Sequence, residues 1–121
     1  MMLTMKTVLS LCVSLFLMVS SGAYAAGAIA VDDEVGETDA GYGIITGADS
    51  REEAARDALK ECRKSGNTDC KVVVRFDKCG AYAASKKYAG IGYGGSLEKA
   101  KSMALDACGN SSCKIVVADC E

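Results

Sequence analysis

The feature that most constrains this chain is an internal repeat. Residues 50–62 read SREEAARDALKEC and residues 96–108 read SLEKAKSMALDAC, so Ser, Glu, Ala, Ala-Leu and Cys recur at a constant offset of 46. Self-similarity on this scale indicates that the chain is built from two copies of one supersecondary unit. Two further pairs of segments match, CKVVV at 70–74 with CKIVV at 113–117 and GAIA at 27–30 with GAYA at 80–83.

Each copy predicts the same order of elements: a strand of small residues, a second strand, a helix and a third strand. In both helical segments Ala, Ala, Leu and Cys fall at i, i+4, i+5 and i+8, which places them on one helical face. The alanines on this face imply that each helix lies close to a sheet. The sequence therefore predicts an α+β fold of two ββαβ half-repeats, at about 27–76 and 79–120, related by pseudo-two-fold symmetry. The two helices, at about 50–63 and 96–108, are expected to pack on antiparallel-rich sheet.

Local signals support the ends of the helices and the type of the strands. Ser50 with Glu53 fits a capping box, in which the hydroxyl and the carboxylate satisfy backbone N–H groups at the start of a helix. Gly66 and Gly109 follow the two helical segments, where a C-terminal glycine is favoured. The β-branched runs in the third strand of each half are typical of buried central strands.

The first 25 residues have the pattern of a secretory signal peptide. Lys6 precedes an apolar run over residues 8–19, and AYA at 23–25 supplies a cleavage site of small residues. The apolar run is too short to cross the ~30 Å of hydrocarbon in a bilayer. We therefore expect cleavage after Ala25, which leaves a single domain of residues 26–121 in the periplasm or outside the cell, with no membrane span.

The mature domain keeps six of the seven cysteines, because Cys12 lies in the predicted signal peptide. An even number of cysteines in an exported chain predicts a disulfide framework. In each half one cysteine ends the helix and another opens the following strand, so we expect these to pair, and the remaining two would form a bridge that ties the halves together. Zinc and redox-active thiols both favour C-x2-C spacings, which neither half contains. The predicted pairs are Cys62–Cys70, Cys108–Cys113 and Cys79–Cys120.

The loop between the first two strands is long and acidic in the first half and short and basic in the second. The acidic loop lacks the spacing of an EF-hand, so a solvated loop is favoured over a calcium site. Charge is also uneven along the chain, since residues 26–57 contain nine acidic and two basic residues, whereas residues 58–101 contain ten basic and four acidic ones. Such polarity can steer a charged partner, or it can be neutralised within the fold. The candidate binding surface comprises Asp32, Asp33, Glu34, Glu37, Asp39, Lys86 and Lys87.

Composition argues against several classes of function. The chain contains no His, so the commonest general base and metal ligand are missing, and we expect no catalytic residue, metal or cofactor. A formal net charge of −2 argues against a nucleic-acid partner bound through its phosphates. The glycines between 90 and 95 do not have the spacing of a phosphate-binding loop. Tyr42, Tyr82, Tyr88 and Tyr93 are expected mainly in the core rather than at a recognition surface.

The GA[IY]A strands, the A-x3-AL-x2-C helices and the CK[VI]VV strands together resemble a family of small exported bacterial proteins. This family, found in proteobacteria and mycobacteria, is described as a domain of unknown function. The resemblance covers about residues 27–120. Because its motifs are structural, it implies the fold and carries no catalytic residues over to this chain.

From these features we expect an exported non-enzymatic binding protein whose partner is another protein. The absence of His and the paired thiols favour an inhibitor or immunity protein against a cell-wall hydrolase, or a host-facing secreted factor. The alternative is a small carboxylate-dependent hydrolase, which requires two carboxyl groups ~5–10 Å apart in a cleft. A flat or convex surface with an exposed loop would instead favour the binding protein.

Overall fold

The two halves of the chain fold into the same succession of elements. A computed structural model of the protein describes residues 25–33 and 40–121, so the predicted signal peptide up to residue 24 and the acidic loop at 34–39 lie outside the described residues. Each half has the order strand, strand, helix, strand, as the repeat predicts. The strands are β1 (Ala26–Asp32), β2 (Gly41–Ala48), β3 (Lys71–Phe76), β4 (Cys79–Ala84), β5 (Ala89–Gly94) and β6 (Lys114–Cys120), and the helices are α1 (Arg51–Lys64) and α2 (Leu97–Cys108).

The strands form two antiparallel sheets of three strands each, ordered β2-β1-β3 and β5-β4-β6. Each half therefore contributes one complete sheet. The pairing repeats in detail, because the register shifts between Ile29 and Ala30 against β3, and between Tyr82 and Ala83 against β6. These two irregularities lie 53 residues apart, the same offset that relates the GAIA and GAYA segments. The likeness of the two halves thus extends to a shared irregularity in the sheet.

The central strand of each sheet is the alanine-rich strand, and the expectation that the valine-rich strands are central is wrong. Every residue of β1 and β4 is buried, whereas β3 and β6 lie at sheet edges and keep exposed residues. The reason is that β1 and β4 are covered on both faces, by a helix on one side and by the other sheet on the opposite side. Where a helix lies so close to a strand, only small side chains fit, and this requirement overrides the higher β propensity of valine.

The helices lie on the outer faces of the two sheets, and the inner faces pack against each other. Successive side chains of a strand point to opposite faces, so β1 directs Ala28 and Ala30 to α1 and Ile29 to the facing sheet. The layers therefore run helix, sheet, sheet, helix. The apolar cluster between the sheets contains Ile29, Val31, Ala40, Val74, Phe76, Tyr82, Ala84 and Val117.

A glycine in the second strand of each half lets the helix approach the strand backbone. A Cβ atom at Gly43 would lie 2.3 Å from the backbone N of Cys62, and a Cβ atom at Gly90 would lie 2.3 Å from the backbone N of Cys108. Neither position has room for a side chain. Because Cys62 and Cys108 are equivalent in the repeat, the two helices contact their sheets in the same way at this point.

Phe76 joins the two halves. A Cβ atom at Gly27 would lie 2.3 Å from its ring, and one at Gly80 would lie 2.2 Å from it. Because Gly27 and Gly80 are equivalent residues of β1 and β4, the ring fills the space that two absent side chains leave between the sheets. A second link is the Glu121 carboxylate, which accepts a hydrogen bond from the backbone N–H of Gly47.

Both helices bury a face of small residues, as their spacing predicts. The leucines of this face differ between the halves, since Leu59 packs partly buried against the sheet and Leu105 is 37% exposed. Within the described ranges, no helix has the length and apolar character needed to cross a membrane. The fully or nearly fully buried helical residues are Ala54, Ala55, Ala58 and Cys62 in α1 and Ala100, Ala104 and Cys108 in α2.

Three disulfides cross-link the fold. The two short bridges each connect the end of a helix to the start of the next strand, with Cα atoms 6.1 and 6.2 Å apart. The third joins residues that lie opposite each other on β4 and β6. It closes the second sheet, so the expectation that it ties the halves together is wrong. The pairs themselves are those predicted, Cys62–Cys70, Cys108–Cys113 and Cys79–Cys120.

Candidate functional site

Two buried polar residues hold equivalent positions in the two halves. Asp32 ends β1 and is 2% exposed, and Ser85 follows β4 and is 7% exposed. They lie 53 residues apart, the offset that relates β1 to β4. In each half the buried polar residue lies near the loop between the helix and the third strand. We call Asp32, Thr68 and Asp69 the first loop cluster, and Ser85, Tyr88, Asn110 and Ser112 the second loop cluster.

In the first loop cluster, the Asp32 carboxylate binds the backbone of the loop that follows α1. It accepts hydrogen bonds from the N–H groups of Thr68 and Asp69, at 3.2 and 3.1 Å. A buried carboxylate needs such donors because an unpaired buried charge is costly. Asp32 therefore has a structural role inside the fold, in place of the role on a binding surface that the sequence suggested.

In the second loop cluster, a neutral hydroxyl stands in place of this carboxylate. The N–H of Ser85 donates to the carbonyl oxygen of Tyr88 at 2.8 Å, and its hydroxyl accepts from the N–H of Tyr88 at 3.2 Å. The loop after α2 is held by Asn110, whose Oδ1 accepts from the N–H and the hydroxyl of Ser112 at 2.9 and 2.6 Å. The second loop cluster thus closes its turn and its loop through neutral side chains.

A cavity of about 450 Å³ opens beside the second loop cluster, and we call it the basic cavity. Lys86 and Lys87 reach it from the β4–β5 turn, and Lys114 reaches it from the start of β6. None of the described residues that line it is acidic. Lysine side chains grouped along one cavity add to the local positive potential. The neutral lining residues are Ser85, Tyr88, Asn110 and Ser112.

A second cavity, of about 430 Å³, lies where β5 runs beside the first sheet, and we call it the inter-sheet cavity. Val31 and Val73 line it from the first half, and Tyr82 and Ile91 line it from the second. Among the described residues that line this cavity, only Asp33 carries a carboxyl group. Burial, and to a lesser degree the negative charge of Asp33, raises the pKa of the Tyr82 phenol above its ordinary value of 10.0.

The side chains that line the two cavities differ in charge. Among the described residues, no carboxyl group lines the basic cavity and one, that of Asp33, lines the inter-sheet cavity. In the part of the chain that the structure describes, no three His, Cys, Asp or Glu residues come together in a way that suits a metal ion. The described linings thus combine lysine side chains at the basic cavity with mainly apolar side chains at the inter-sheet cavity.

Large apolar side chains are exposed mainly in the second half. The first half exposes Tyr42, which is 41% accessible. The expectation that the tyrosines lie in the core is wrong for three of the four, since only Tyr82 is buried among those described. The exposed large apolar residues of the second half are Tyr88, Ile91, Tyr93, Leu97, Met103 and Leu105.

The repeat contained a signal for this surface that the sequence analysis missed. Positions 97 and 103 of α2 correspond to Arg51 and Asp57 of α1. A charged residue in one copy marks a position that faces solvent, so an apolar residue at the same position in the other copy is exposed too. A comparison of the two copies residue by residue would therefore have identified Leu97 and Met103 as surface residues.

A comparison with known families bears on nearly all of the residues that the structure describes. A family model described as a domain of unknown function, DUF4189, matches residues 26–120. The chain belongs to the DUF4189 family. The match spans both half-repeats and all six disulfide-bonded cysteines, so the resemblance expected from the sequence motifs is confirmed. Searches of curated proteins and of solved structures gave no significant match to this DUF4189 domain.

The structure of the DUF4189 domain describes four of the residues that were predicted to form one binding surface, Asp32, Asp33, Lys86 and Lys87. Lys86 and Lys87 line the basic cavity, and Asp33 lines the inter-sheet cavity. Sequence reasoning missed Lys114, which the pairing of β6 with β4 brings beside the two predicted lysines. The remaining predicted residues, Glu34, Glu37 and Asp39, lie outside the described residues.

Proposed function

We propose that this DUF4189 domain is an exported, non-enzymatic binding protein whose partner is another protein. The observation that carries the proposal is the difference in exposed apolar surface between two copies of one scaffold. Among the described residues, the second half exposes six large apolar side chains and the first half exposes one. Because both copies have the same fold, the additional apolar surface is not needed to build that fold, and exposed apolar patches commonly mark interaction sites.

Helix α2 provides one part of the proposed recognition surface. Its contacts with the sheet are made by Ala100 and Ala104, which are fully buried. The larger side chains of Leu97, Met103 and Leu105 are each 37 to 41% exposed. These side chains are therefore available to a partner, and their burial on binding would be favourable.

Strand β5 provides a second exposed apolar patch, on the face of the sheet away from α2. Gly90 and Gly92 face α2, because a Cβ atom at either position would overlap the helix backbone. Ile91 and Tyr93 therefore point to the opposite face of the sheet. Their exposures are 37% and 53%, since β5 is an edge strand that the facing sheet covers incompletely. Tyrosine is enriched among the residues that dominate protein interfaces.

Export is the second component of the proposal. The charged start, the apolar run and the AYA sequence support a signal peptide. The three disulfides are compatible with the periplasm or the extracellular space, where such bonds persist. A cross-linked domain keeps its recognition surface pre-organised, which lowers the entropic cost of binding. The proposed partners are a cell-wall hydrolase, bound by an inhibitor or immunity protein, or a host protein, bound by a secreted factor.

The proposal is tested by capture of partners with the tagged mature domain, residues 26–121, from periplasm and culture supernatant of the native host. Binding of a captured partner is then measured for Tyr93→Thr and Met103→Asp. These variants introduce the residues found at the equivalent positions of the first half, Thr46 from the strand pairing and Asp57 from the helix repeat. We expect each variant to weaken binding about tenfold or more, the effect of changing a central interface residue. The matched control, Tyr42→Ala, carries the equivalent residue of the second half and should bind normally.

Urea denaturation of each variant separates loss of binding from loss of the fold. The proposal is contradicted if neither extract yields a partner, or if a captured partner binds both folded variants as tightly as the parent domain. Hydrolysis of cell-wall material by the purified mature domain would contradict its non-enzymatic part and favour the carboxylate-dependent hydrolase.

A further inference from the structure

We infer that the free edge of β5 is a self-association surface, at which two copies of this domain pair antiparallel, β5 against β5, to form a dimer. The inference goes beyond the proposed function, because the partner is a second copy of this chain and the strand backbone makes the contact. It rests on the lack of protection at this edge, on the backbone groups that the edge presents and on the register in which β5 matches itself.

Of the four edge strands that the structure describes, β5 alone has neither a charged residue nor a register shift. Native edge strands are commonly protected from further pairing by charges or by bulges. A register shift and two charged residues are found in β3, with Lys71 and Arg75, and in β6, with Lys114 and Asp119. The pairing of β2 shifts near Gly47. In contrast, β5 reads AGIGYG and pairs with β4 along its whole length without a shift.

The backbone groups at the free edge of β5 belong to Ala89, Ile91 and Tyr93. The N–H of Ser85 donates to the carbonyl oxygen of Tyr88, which makes these two residues a hydrogen-bonded pair. Hydrogen-bonded and non-hydrogen-bonded pairs alternate along an antiparallel ladder. The glycines of β5 therefore bond to β4, and the three residues that alternate with them direct their N–H and C=O groups to the free edge. Within the described ranges no strand pairs with this edge, so it can accept another strand.

Strand β5 itself supplies the complementary strand. In antiparallel pairing about Ile91, this residue lies opposite its own copy and Ala89 lies opposite Tyr93 of the second copy, so all three edge residues donate and accept hydrogen bonds. A register centred on Gly92 would use only two of them. Pairing about Ile91 also places a large side chain opposite a small one and brings no charge into the pair of strands. The dimer is closed, because it uses both β5 edges.

The flank of α2 beside this edge is apolar, whereas its counterpart in the first half is charged. Ala107 lines the inter-sheet cavity together with Ala89, which places this flank at the β5 edge. Met103 precedes Ala107 by four residues and shares its helical face. Both residues are exposed, and the equivalent residues of α1 are Asp57 and Glu61. In the dimer the two α2 helices lie side by side, and this apolar flank is covered.

The experiment is sedimentation equilibrium of the mature domain, residues 26–121, over a concentration series, with amide hydrogen exchange measured at its two ends. We expect a reversible equilibrium between monomer and dimer without larger species. The N–H groups of Ile91 and Tyr93 should exchange rapidly in the monomer and be protected in the dimer. Those of Gly90 and Gly92, which bond to β4, should be protected in both states.

The decisive variant is Ile91→Pro. Proline has no N–H to donate to the second copy, and it is tolerated in an edge strand where the N–H does not bond to the neighbouring strand. We expect the dissociation constant of the dimer to rise about tenfold or more, because the two-fold axis removes the hydrogen bond twice. The matched control, Ile44→Pro, makes the same change at the equivalent position of β2 and should dimerise like the parent domain.

A second pair of variants leaves the strands unchanged and decides if either proline variant fails to fold in urea denaturation. Met103→Asp puts a charge beside the β5 edge and should weaken the dimer about fivefold or more, because that charge would be buried on pairing. Leu105→Asp puts the same charge on the opposite flank of α2, where its equivalent Leu59 packs near Val72 of β3. This control should dimerise like the parent domain.

Three results would overturn the inference. The mature domain stays monomeric at millimolar concentration, its dimer leaves the Ile91 and Tyr93 amides unprotected, or the folded decisive variant dimerises as tightly as its control. A monomeric domain that loses a captured protein partner on Ile91→Pro would also overturn it, since the edge would then accept a strand of another protein. Because self-association is measured on the purified domain alone, its failure is distinguishable from failure to capture a partner.

Discussion

In the first half, a buried carboxylate closes the loop cluster, and α1 turns mainly charged side chains to solvent. In the second half, a hydroxyl replaces that carboxylate, three lysines line a cavity, and α2 exposes leucine and methionine. The interiors are more alike, since Gly43 and Gly90 admit their helices at the same distance, although Gly92 stands against α2 where the first half has Ile45. The two copies have kept one scaffold and diverged at the surface, where functional sites are built on a conserved frame.

The two halves also differ in net charge. Residues 26–76 contain eleven acidic and seven basic residues, whereas residues 79–120 contain three acidic and five basic residues. The first half is thus net negative and the second net positive. The basic cavity lies in the net-positive half.

The largest expected effect concerns a cross-link that only one half has. Two disulfides are repeat-equivalent, but Cys79–Cys120 has no counterpart in the first half, where Ala26 stands at the position of Cys79. It spans 41 residues, against 8 and 5 for the others. In the loop-entropy relation its removal costs about 4 kcal/mol, and removal of Cys62–Cys70 or Cys108–Cys113 costs about 2 to 2.5 kcal/mol.

Urea denaturation of the three paired Cys→Ala variants measures these differences. Near-equal losses for the two short bridges would support the equivalence of the halves. A greater loss for either short bridge than for Cys79–Cys120 would show that local packing, rather than the length of the closed loop, sets the order. In that case the bridge Cys79–Cys120 would not give the second half the greater stabilisation that its longer loop predicts.

The next largest effect tests whether the two helices pack equally closely against Gly43 and Gly90. Gly43→Ala and Gly90→Ala each place a Cβ atom 2.3 Å from a helix backbone nitrogen. We expect each to destabilise the fold by about 3 kcal/mol, at the upper end for overpacking. Gly95→Ala is the matched control, because a Cβ atom there meets nothing within 4 Å. Tolerance of one of the first two substitutions, but not of the other, would show that only one helix packs directly on its strand.

The repeat explains how much of this fold the sequence could predict. Element order, helix limits within one residue and the two short disulfides follow from positions that match between the copies, and Cys79–Cys120 follows as the remaining pair. The central strands could not be identified from β propensity, because alanine in β1 and β4 reflects close contact with helices that only the assembled layers reveal.

The candidate site was less predictable, because it depends on which groups meet across the fold. Lys86 and Lys87 could be found from the charge of one loop, but Lys114 joins them only through strand pairing. The burial of Asp32 depends on the loop N–H groups of Thr68 and Asp69, which lie 36 and 37 residues further along the chain. No local pattern distinguishes such a carboxylate from one exposed in an acidic loop.

A smaller effect exchanges the residues that distinguish the two loop clusters. Asp32→Ser gives the first loop cluster the residue of the second and removes the acceptor for the N–H groups of Thr68 and Asp69. We expect a loss of about 2 kcal/mol in the free energy of unfolding, whereas Ser85→Ala should cost about 1 kcal/mol. Equal losses in urea denaturation would show that the carboxylate adds nothing over a hydroxyl, and the contrast between the loop clusters would lose its energetic basis.

The smallest effect concerns the inter-sheet cavity and alkaline pH. Tyr82 corresponds to Ile29 in the first half, so its ionisation belongs to the second half alone. Burial, followed by the charge of Asp33, raises its pKa above 10.0 in the folded domain. The unfolded chain therefore loses this proton first as pH rises. The contribution to stability is complete below pH 10.0, declines above it and is lost once pH passes the folded pKa.

Absorbance titration at alkaline pH, compared between the parent domain and Tyr82→Phe, isolates the ionisation of this phenol. We expect its midpoint above 10.0, and Asp33→Asn should lower that midpoint because one of the two causes of the shift is removed. In urea denaturation, Tyr82→Phe should also lose less stability than the parent between neutral and alkaline pH. A midpoint at or below 10.0 would mean that solvent reaches the Tyr82 hydroxyl, and the inter-sheet cavity would then be an open groove between the two halves.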